Sequence, residues 1–262
     1  MKKIIIIGLW ALFPGLSLVA QNTEEQSVLQ DKVHEWKVSG QLGLQAGGAI
    51  PIPMSALSGD DGAVHAQVKV YPRLAARVGK RLSDHWWAYV GLNYASSGIT
   101  AKARVKNQRI KEIDRGSGEL MVKYFTGVSH VEMAFAYAEF PVYAEYSISS
   151  RNKLIMGLYG AYKVGGKFET TAVKGFTSDK PDNVHAEVRP SDNIRSNFSV
   201  DLRSWDFGVL LGYEFAVFSR LNAGLHLNFS PFDVFKAEVD YFDYTMHPLR
   251  GAIMVSYDLF RR

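Results

Sequence analysis

Between residues 64 and 80 the chain reads VHAQVKVYPRLAARVGK, and no even position before Lys80 is polar. Val64, Ala66, Val68, Val70, Pro72, Leu74, Ala76 and Val78 alternate with His65, Gln67, Lys69, Tyr71, Arg73, Ala75, Arg77 and Gly79. Successive side chains of a strand point to opposite faces, so this segment has one apolar face and one face rich in cations. A slip of one residue would exchange the two faces. Against hydrocarbon, that slip would place Lys69, Arg73 and Arg77 in lipid, at roughly 2–4 kcal/mol each at mid-membrane. Three such penalties, up to ~6–12 kcal/mol, rival the whole stability of an ordinary domain. The register that follows puts the even face on hydrocarbon and the odd face in a lumen. Pro72 has no N–H to donate, so a bulge or an unpaired ladder position is expected beside it.

The same period of two returns along the chain. Trp36, Val38, Leu42, Leu44 and Ala46 oppose Lys37, Ser39, Gln41 and Gln45. Trp86 to Tyr94 and Phe140 to Tyr146 repeat it, as do Leu154 to Val164 and Trp205 to Val217. Leu221 to Phe229 and Leu249 to Leu259 complete the set. These make about eight segments near the ~9–11 residues that carry a tilted strand across a bilayer. Helical periodicity and capping signals are weak. The spacers alternate in length: RLSDH, SSRN and SR are short, whereas about 51–63, 97–130, 165–204 and 231–246 are long and polar. That is the pattern of a transmembrane antiparallel up-and-down β-barrel with tight periplasmic turns and long outer loops. A soluble sandwich also alternates, but gives its loops no reason to alternate in length. Trp86, Tyr146, Phe215, Phe218, Tyr257 and Phe260 cluster at the ends expected to be periplasmic, as an interfacial belt would.

Lys2 and Lys3 precede the apolar run IIIIGLWALFPGLSLVA, broken by Pro14 and Gly15 and ending at Ala20. This reads as a secretory signal peptide over residues 1–20, cleaved near Gln21. Residues 21–35 are polar and expected to form a periplasmic tail, leaving 36–262 as the barrel. The sequence has no cysteine, which excludes disulfides, thiolate metal sites and a lipid-modified cysteine anchor. The formal net charge of +4 includes the two leader lysines. So mild a charge on an exported chain argues against nucleic acid as a partner.

GLNYASSGITAK (91–102), YAEFPVYAEY (137–146), MGLYGAYKVGGKF (156–168) and DFGVLLGYEF (206–215) carry a further signal. In them the chain resembles the small porin-like outer-membrane β-barrel domain family, to which the PorT-like proteins also belong. The Glu139, Pro141 and Tyr146 strand is the most specific part. Ala138 and Phe140 depart from the family's usual Leu and Ile, and Glu145 stands where Lys is common. The resemblance spans about 36–260 and implies fold and location. It implies no one activity, because members of the family differ in role.

Lys69, Arg73, Arg77, Glu139, Glu145, Lys163, Asp206, Glu214, Arg250 and Asp258 are expected to face the lumen. An eight-stranded barrel is just wide enough for side chains to fill it, and unpaired buried charge is costly. The expected outcome is a plug of ion pairs, with a narrow ion path as the alternative. His226 and Ser230 share a face but lie about 13 Å apart on an extended strand, too far for a nucleophile and its base. Asp240, Asp243 and His247 form an acidic loop with no recognised metal spacing. In the outer segment 102–115, Lys102, Arg104 and Lys106 are candidate contacts to lipopolysaccharide phosphates. Ile99, Ala101, Ala103 and Val105 alternate with them and are expected to pack locally.

The functional expectation is an integral outer-membrane barrel with a structural or interaction role, displaying long outer loops and needing neither cofactor nor metal. Its expected partners are outer-membrane lipid, lipopolysaccharide, the barrel-insertion machinery and an envelope protein. Alternatives are an accessory subunit of an envelope secretion system and a narrow small-solute porin. A lipid A-modifying hydrolase is the weakest alternative.

Overall fold

Eight long strands close into a ring in the computed structural model. It describes residues 35–52, 65–113, 120–181, 183, 186–188, 194–237 and 245–262. The strands are β1 (Trp36–Ile52), β2 (His65–Arg81), β3 (Trp86–Ile113), β4 (Leu120–Ser147), β5 (Asn152–Ser178), β8 (Trp205–Ala216), β9 (Leu221–Phe229) and β10 (Thr245–Arg261). Two three-residue strands, β6 (Ala186–Val188) and β7 (Arg195–Asn197), pair with β5. Each long strand pairs antiparallel with its neighbour in the ring, β4 pairs with β5, and β1 pairs with β10. No edge of the ring is left open. That is the condition for sheet in hydrocarbon, where an unpaired N–H or C=O has no water to turn to. The leader and tail read at 1–34 and the loop residues 53–64 lie outside the described residues.

The expected faces are present. Leu42, Leu74, Val90, Val142, Leu211 and Ile253 lie exposed on the outside. Gln45, Arg73, Arg77, Glu139, Glu214 and Arg250 are buried inside. At the end carrying the short turns, the rings of Trp86 and Tyr146 meet 4.8 Å apart across β3 and β4. At the opposite end Tyr162 and Trp205 meet 5.0 Å apart, and Trp205 stacks on Phe207 at 6.2 Å.

The segments read as long loops differ from expectation. β3 and β4 run 28 residues each and β5 runs 27, far beyond the ~9–11 that span a bilayer. Much of 97–130 and of 165–178 is therefore strand, not loop: a three-stranded ribbon continues beyond the barrel rim. Polar composition hid it, because a ribbon in water satisfies its backbone through its own ladder and needs no apolar outer face. Its inner side buries apolar side chains together with Ser129 and Thr170. Ile99, Ala101 and Val105 are buried there, Ile99 and Ala101 with Val131, Met133 and Phe135 and Val105 with Phe125 and Ala172.

Bulges re-aim side chains at the rim. Between β2 and β3 the register passes from Lys69–Gly98 to Arg73–Ala95, so three residues of β2 around Pro72 oppose two of β3. The bulge expected at Pro72 is there, and one inserted residue reverses the faces beyond it. A similar shift separates Tyr137–Lys163 from Ala136–Gly165 between β4 and β5.

Candidate functional site

Two groups of charged side chains fill the lumen. In the first, Arg73 from β2 donates to Glu139 at 3.0 Å and to Gln45 at 2.9 Å. Arg250 from β10 pairs with Glu139 at 2.7 Å and donates to Asp206 of β8 at 3.0 Å. The Tyr159 hydroxyl donates to the same Asp206 carboxylate at 3.1 Å. The Arg250 guanidinium also lies between two rings, 4.8 Å from Tyr137 and 5.0 Å from Tyr159. In the second group, Arg77 grips Glu214 with two hydrogen bonds, of 2.7 and 2.8 Å. It also donates to the Tyr143 hydroxyl at 2.9 Å and to Ser256 at 3.1 Å. His226 stands 3.4 Å from Glu214. Three arginines thus meet three carboxylates, with Arg250 1% and Glu139 0% exposed.

Below them, towards the short turns, Ser39 donates to Asp258 at 2.6 Å and Arg261 donates to the same residue at 2.8 Å. Lys153 pairs with Glu145 at 3.1 Å. Lys37 sits 4.0 Å from the Trp87 ring. At the other end of the barrel apolar side chains are buried together. Phe198 and Leu202, from the connection between β5 and β8, join Val234 and Phe235 from the connection between β9 and β10. Phe168 packs edge-on against Phe198 and Phe235. Backbone bonds tie the two connections together: Arg203 N donates to Val234 O and Lys236 N to Asp201 O. Lys163 donates from Nζ to Leu202 O at 2.9 Å, fastening the cap to β5.

Lys69 departs from the expected set. The bulge at Pro72 turns it to the outer face, where it donates to Glu132 at 2.8 Å. Lys167, sent outward by the bulge on β5, donates to the other oxygen of Glu132 at 2.7 Å and pairs with Glu169 at 3.2 Å. Hydrogen bonds from Lys167 and Lys69 hold the Glu132 carboxyl down to about 2, and the same bonds raise both lysines. Lys163 keeps its inward aim but serves the cap. The residues considered for hydrolysis are engaged elsewhere. His226 faces Glu214, Ser230 donates to Phe207 O at 2.8 Å, and His247 lies on β10 beside Thr245 at 2.9 Å. Asp240 and Asp243 lie outside the described residues.

Lys102, Arg104 and Lys106 are exposed on the outer part of β3. The register adds a residue that chain order concealed. Arg104 is opposite Val128, and Val128 is opposite Lys174, so two cations from β3 and β5 share one outer face. Lys102, His130 and Thr171 form the adjoining row.

A sequence model described as "Outer membrane protein beta-barrel domain" matches residues 19–236. No curated protein matches this chain at a significant level. Solved structures of similar form include Ail, the attachment invasion locus protein of Yersinia pestis. It is 9% identical, with 85% of this chain and 98% of that chain covered at a TM-score of 0.38. Neisserial surface protein A is also 9% identical, over 86% and 96%, with a TM-score of 0.30. The Ralstonia pickettii toluene transporter TbuX is 8% identical, over 86% and 90%, with a TM-score of 0.25.

Proposed function

This chain belongs to the outer membrane protein β-barrel domain family, and from that premise we propose that it is a sealed, non-catalytic barrel whose role is interaction through the ribbon it raises outside the membrane. The observation that carries this reading is the filled lumen. Arg77 of β2 reaches across it to Glu214 of β8, and Arg250 of β10 to Glu139 of β4, both on the opposite side of the ring, while Arg73 meets Glu139 and Arg250 meets Asp206 on the next strand but one. An ion entering the barrel would have to break pairs held at 2.7–3.0 Å, each removal costing several kcal/mol in low dielectric. The apolar cap of Phe198, Leu202, Val234 and Phe235 adds a second obstruction at the mouth. The occupied His226 and Ser230 support a non-catalytic role.

The ribbon is the part left to act. It is stiffened by cross-strand pairing along its length, and it carries Lys102, Arg104 and Lys106 on its outer surface. Residues 98–135 and 165–178 hold nine Lys or Arg against five Asp or Glu, so the positive charge of the chain is concentrated there. Lipopolysaccharide is the proposed partner, and an envelope protein partner is compatible with the same surface. The proposal includes a leader over 1–20, removed on export, and both ends of the mature chain in the periplasm.

Planar-bilayer recording of the refolded full mature chain tests the reading. The expected trace stays at the bilayer baseline. Stable single-channel steps from the wild-type protein would overturn it in favour of a porin.

A further inference from the structure

One face of β3 changes chemistry along its length without changing direction. Val90, Leu92 and Tyr94 lie exposed on the outer band, followed on the same face by Ser96, Gly98, Thr100, Lys102 and Arg104. No register shift between β3 and β4 intervenes from Asn93 to Val105. The apolar part of this face therefore passes directly into the basic part, about 27 Å along the strand from Tyr94 to Lys102. Across the ribbon, Lys174 joins Arg104 through Val128, and His130 joins Lys102. The next row pairs Thr126 with Phe176, which is 44% exposed.

We propose that this face binds the phosphorylated saccharide of a lipopolysaccharide molecule in the outer leaflet, with Lys102, Arg104 and Lys174 as its anion contacts and Phe176 as a flat platform for a sugar ring. The inference rests on the reading of the ribbon as the interaction surface and deepens it. Continuity argues for a membrane amphiphile as the occupant. Acyl chains lying against Val90 to Tyr94 bring their own headgroup up the same strand face. A soluble glycan would have no use for the apolar half. Charge complementarity argues for phosphate. Rows two residues apart on β3 set Lys102 and Arg104 about 7 Å from each other, and Lys174 lies two strands away, about 10 Å across. Separate phosphates are then met by separate cations, through charge-assisted hydrogen bonds.

The test uses the full mature protein in nanodiscs of zwitterionic lipid, titrated with purified lipopolysaccharide and, in parallel, with the same material stripped of its core phosphates. The variant K102Q/R104Q/K174Q is compared with K80Q/R220Q/K236Q, which removes three cations elsewhere. The expected result is at least about tenfold weaker binding for the first variant and unchanged binding for the second, as loss of charged hydrogen bonds implies. K102R/K174R should bind as wild type does. Stripped lipopolysaccharide should bind wild type and K102Q/R104Q/K174Q alike. Competition by free inorganic pyrophosphate at equal concentration would assign the face to a soluble anion and overturn the commitment to lipid. Binding within twofold of wild type by K102Q/R104Q/K174Q, with its strand content intact by circular dichroism, would also overturn it. Conductance of wild type would instead sink the sealed-barrel reading and leave this binding result standing, so the two failures are separable.

Discussion

Replacing Arg250 with Met removes a charge while keeping an unbranched apolar stem between the Tyr137 and Tyr159 rings. In the wild type the guanidinium serves two carboxylates, Glu139 at 2.7 Å and Asp206 at 3.0 Å. After substitution Glu139 keeps Arg73 at 3.0 Å. Asp206 keeps the Tyr159 hydroxyl at 3.1 Å and loses its cation. Removing one member of a buried pair costs about 3–5 kcal/mol, because the surviving charge stays desolvated. The intact pair is worth much less than that over an apolar replacement, so the penalty belongs to the imbalance. It follows that R250M/D206N, which returns the plug to two arginines and two carboxylates, should recover about 2 kcal/mol or more, a coupling within the usual range for contacting groups. Urea unfolding of the barrel refolded into lipid vesicles, followed by the fluorescence of its tryptophans, measures both quantities. A loss below about 1 kcal/mol for R250M would refute a tightly desolvated plug. Strict additivity in the double variant would refute the assignment of the penalty to Asp206.

Three further expectations follow from local geometry. A Cβ on Gly79 would stand 2.2 Å from Tyr89 Cε1, and that ring stacks 5.2 Å from Tyr143 and 4.7 Å from Arg77. G79A should therefore destabilise by about 1–3 kcal/mol through overpacking, and a neutral result in the same unfolding assay would count against the packing of Tyr89 over a bare backbone. Glu132 is ionised down to about 2, so its pairs with Lys69 and Lys167 stabilise the fold above the ordinary carboxylate pKa. That contribution fades as pH falls from about 4.5 through about 2. Exposure to solvent keeps it small, and the gap between wild type and E132Q should be full at neutral pH and close in acid. A gap that widens in acid would contradict the sign. Finally, V90R places a cation at the middle of the outer band and should cost roughly 2–4 kcal/mol in vesicles; free tolerance there would mean that this face does not meet hydrocarbon.

Several features were legible in the sequence because they are properties of one strand at a time. Parity assigned Arg73, Arg77, Glu139, Glu214 and Arg250 to one side and Leu74, Val90, Val142 and Ile253 to the other without knowledge of any partner. Pro72 announced its bulge because a missing N–H is a local fact. Which charges would meet was not legible. Arg250 lies between Glu139 and Asp206, far from it along the chain, and only the order and stagger of the ring bring the three to one level. Lys69 and Lys167 look inward by parity, yet each points outward. A single inserted residue inverts a strand's faces, and which side chains it turns outward is decided by the register against the strand beside it. The ribbon was hidden for a related reason. Away from lipid, a strand needs a partner for its backbone but no apolar face, so composition read as loop what pairing made into sheet. Chemistry that repeats along one strand is written in the sequence. Chemistry that depends on register between strands, such as the Arg104–Lys174 face, exists only once the barrel has closed.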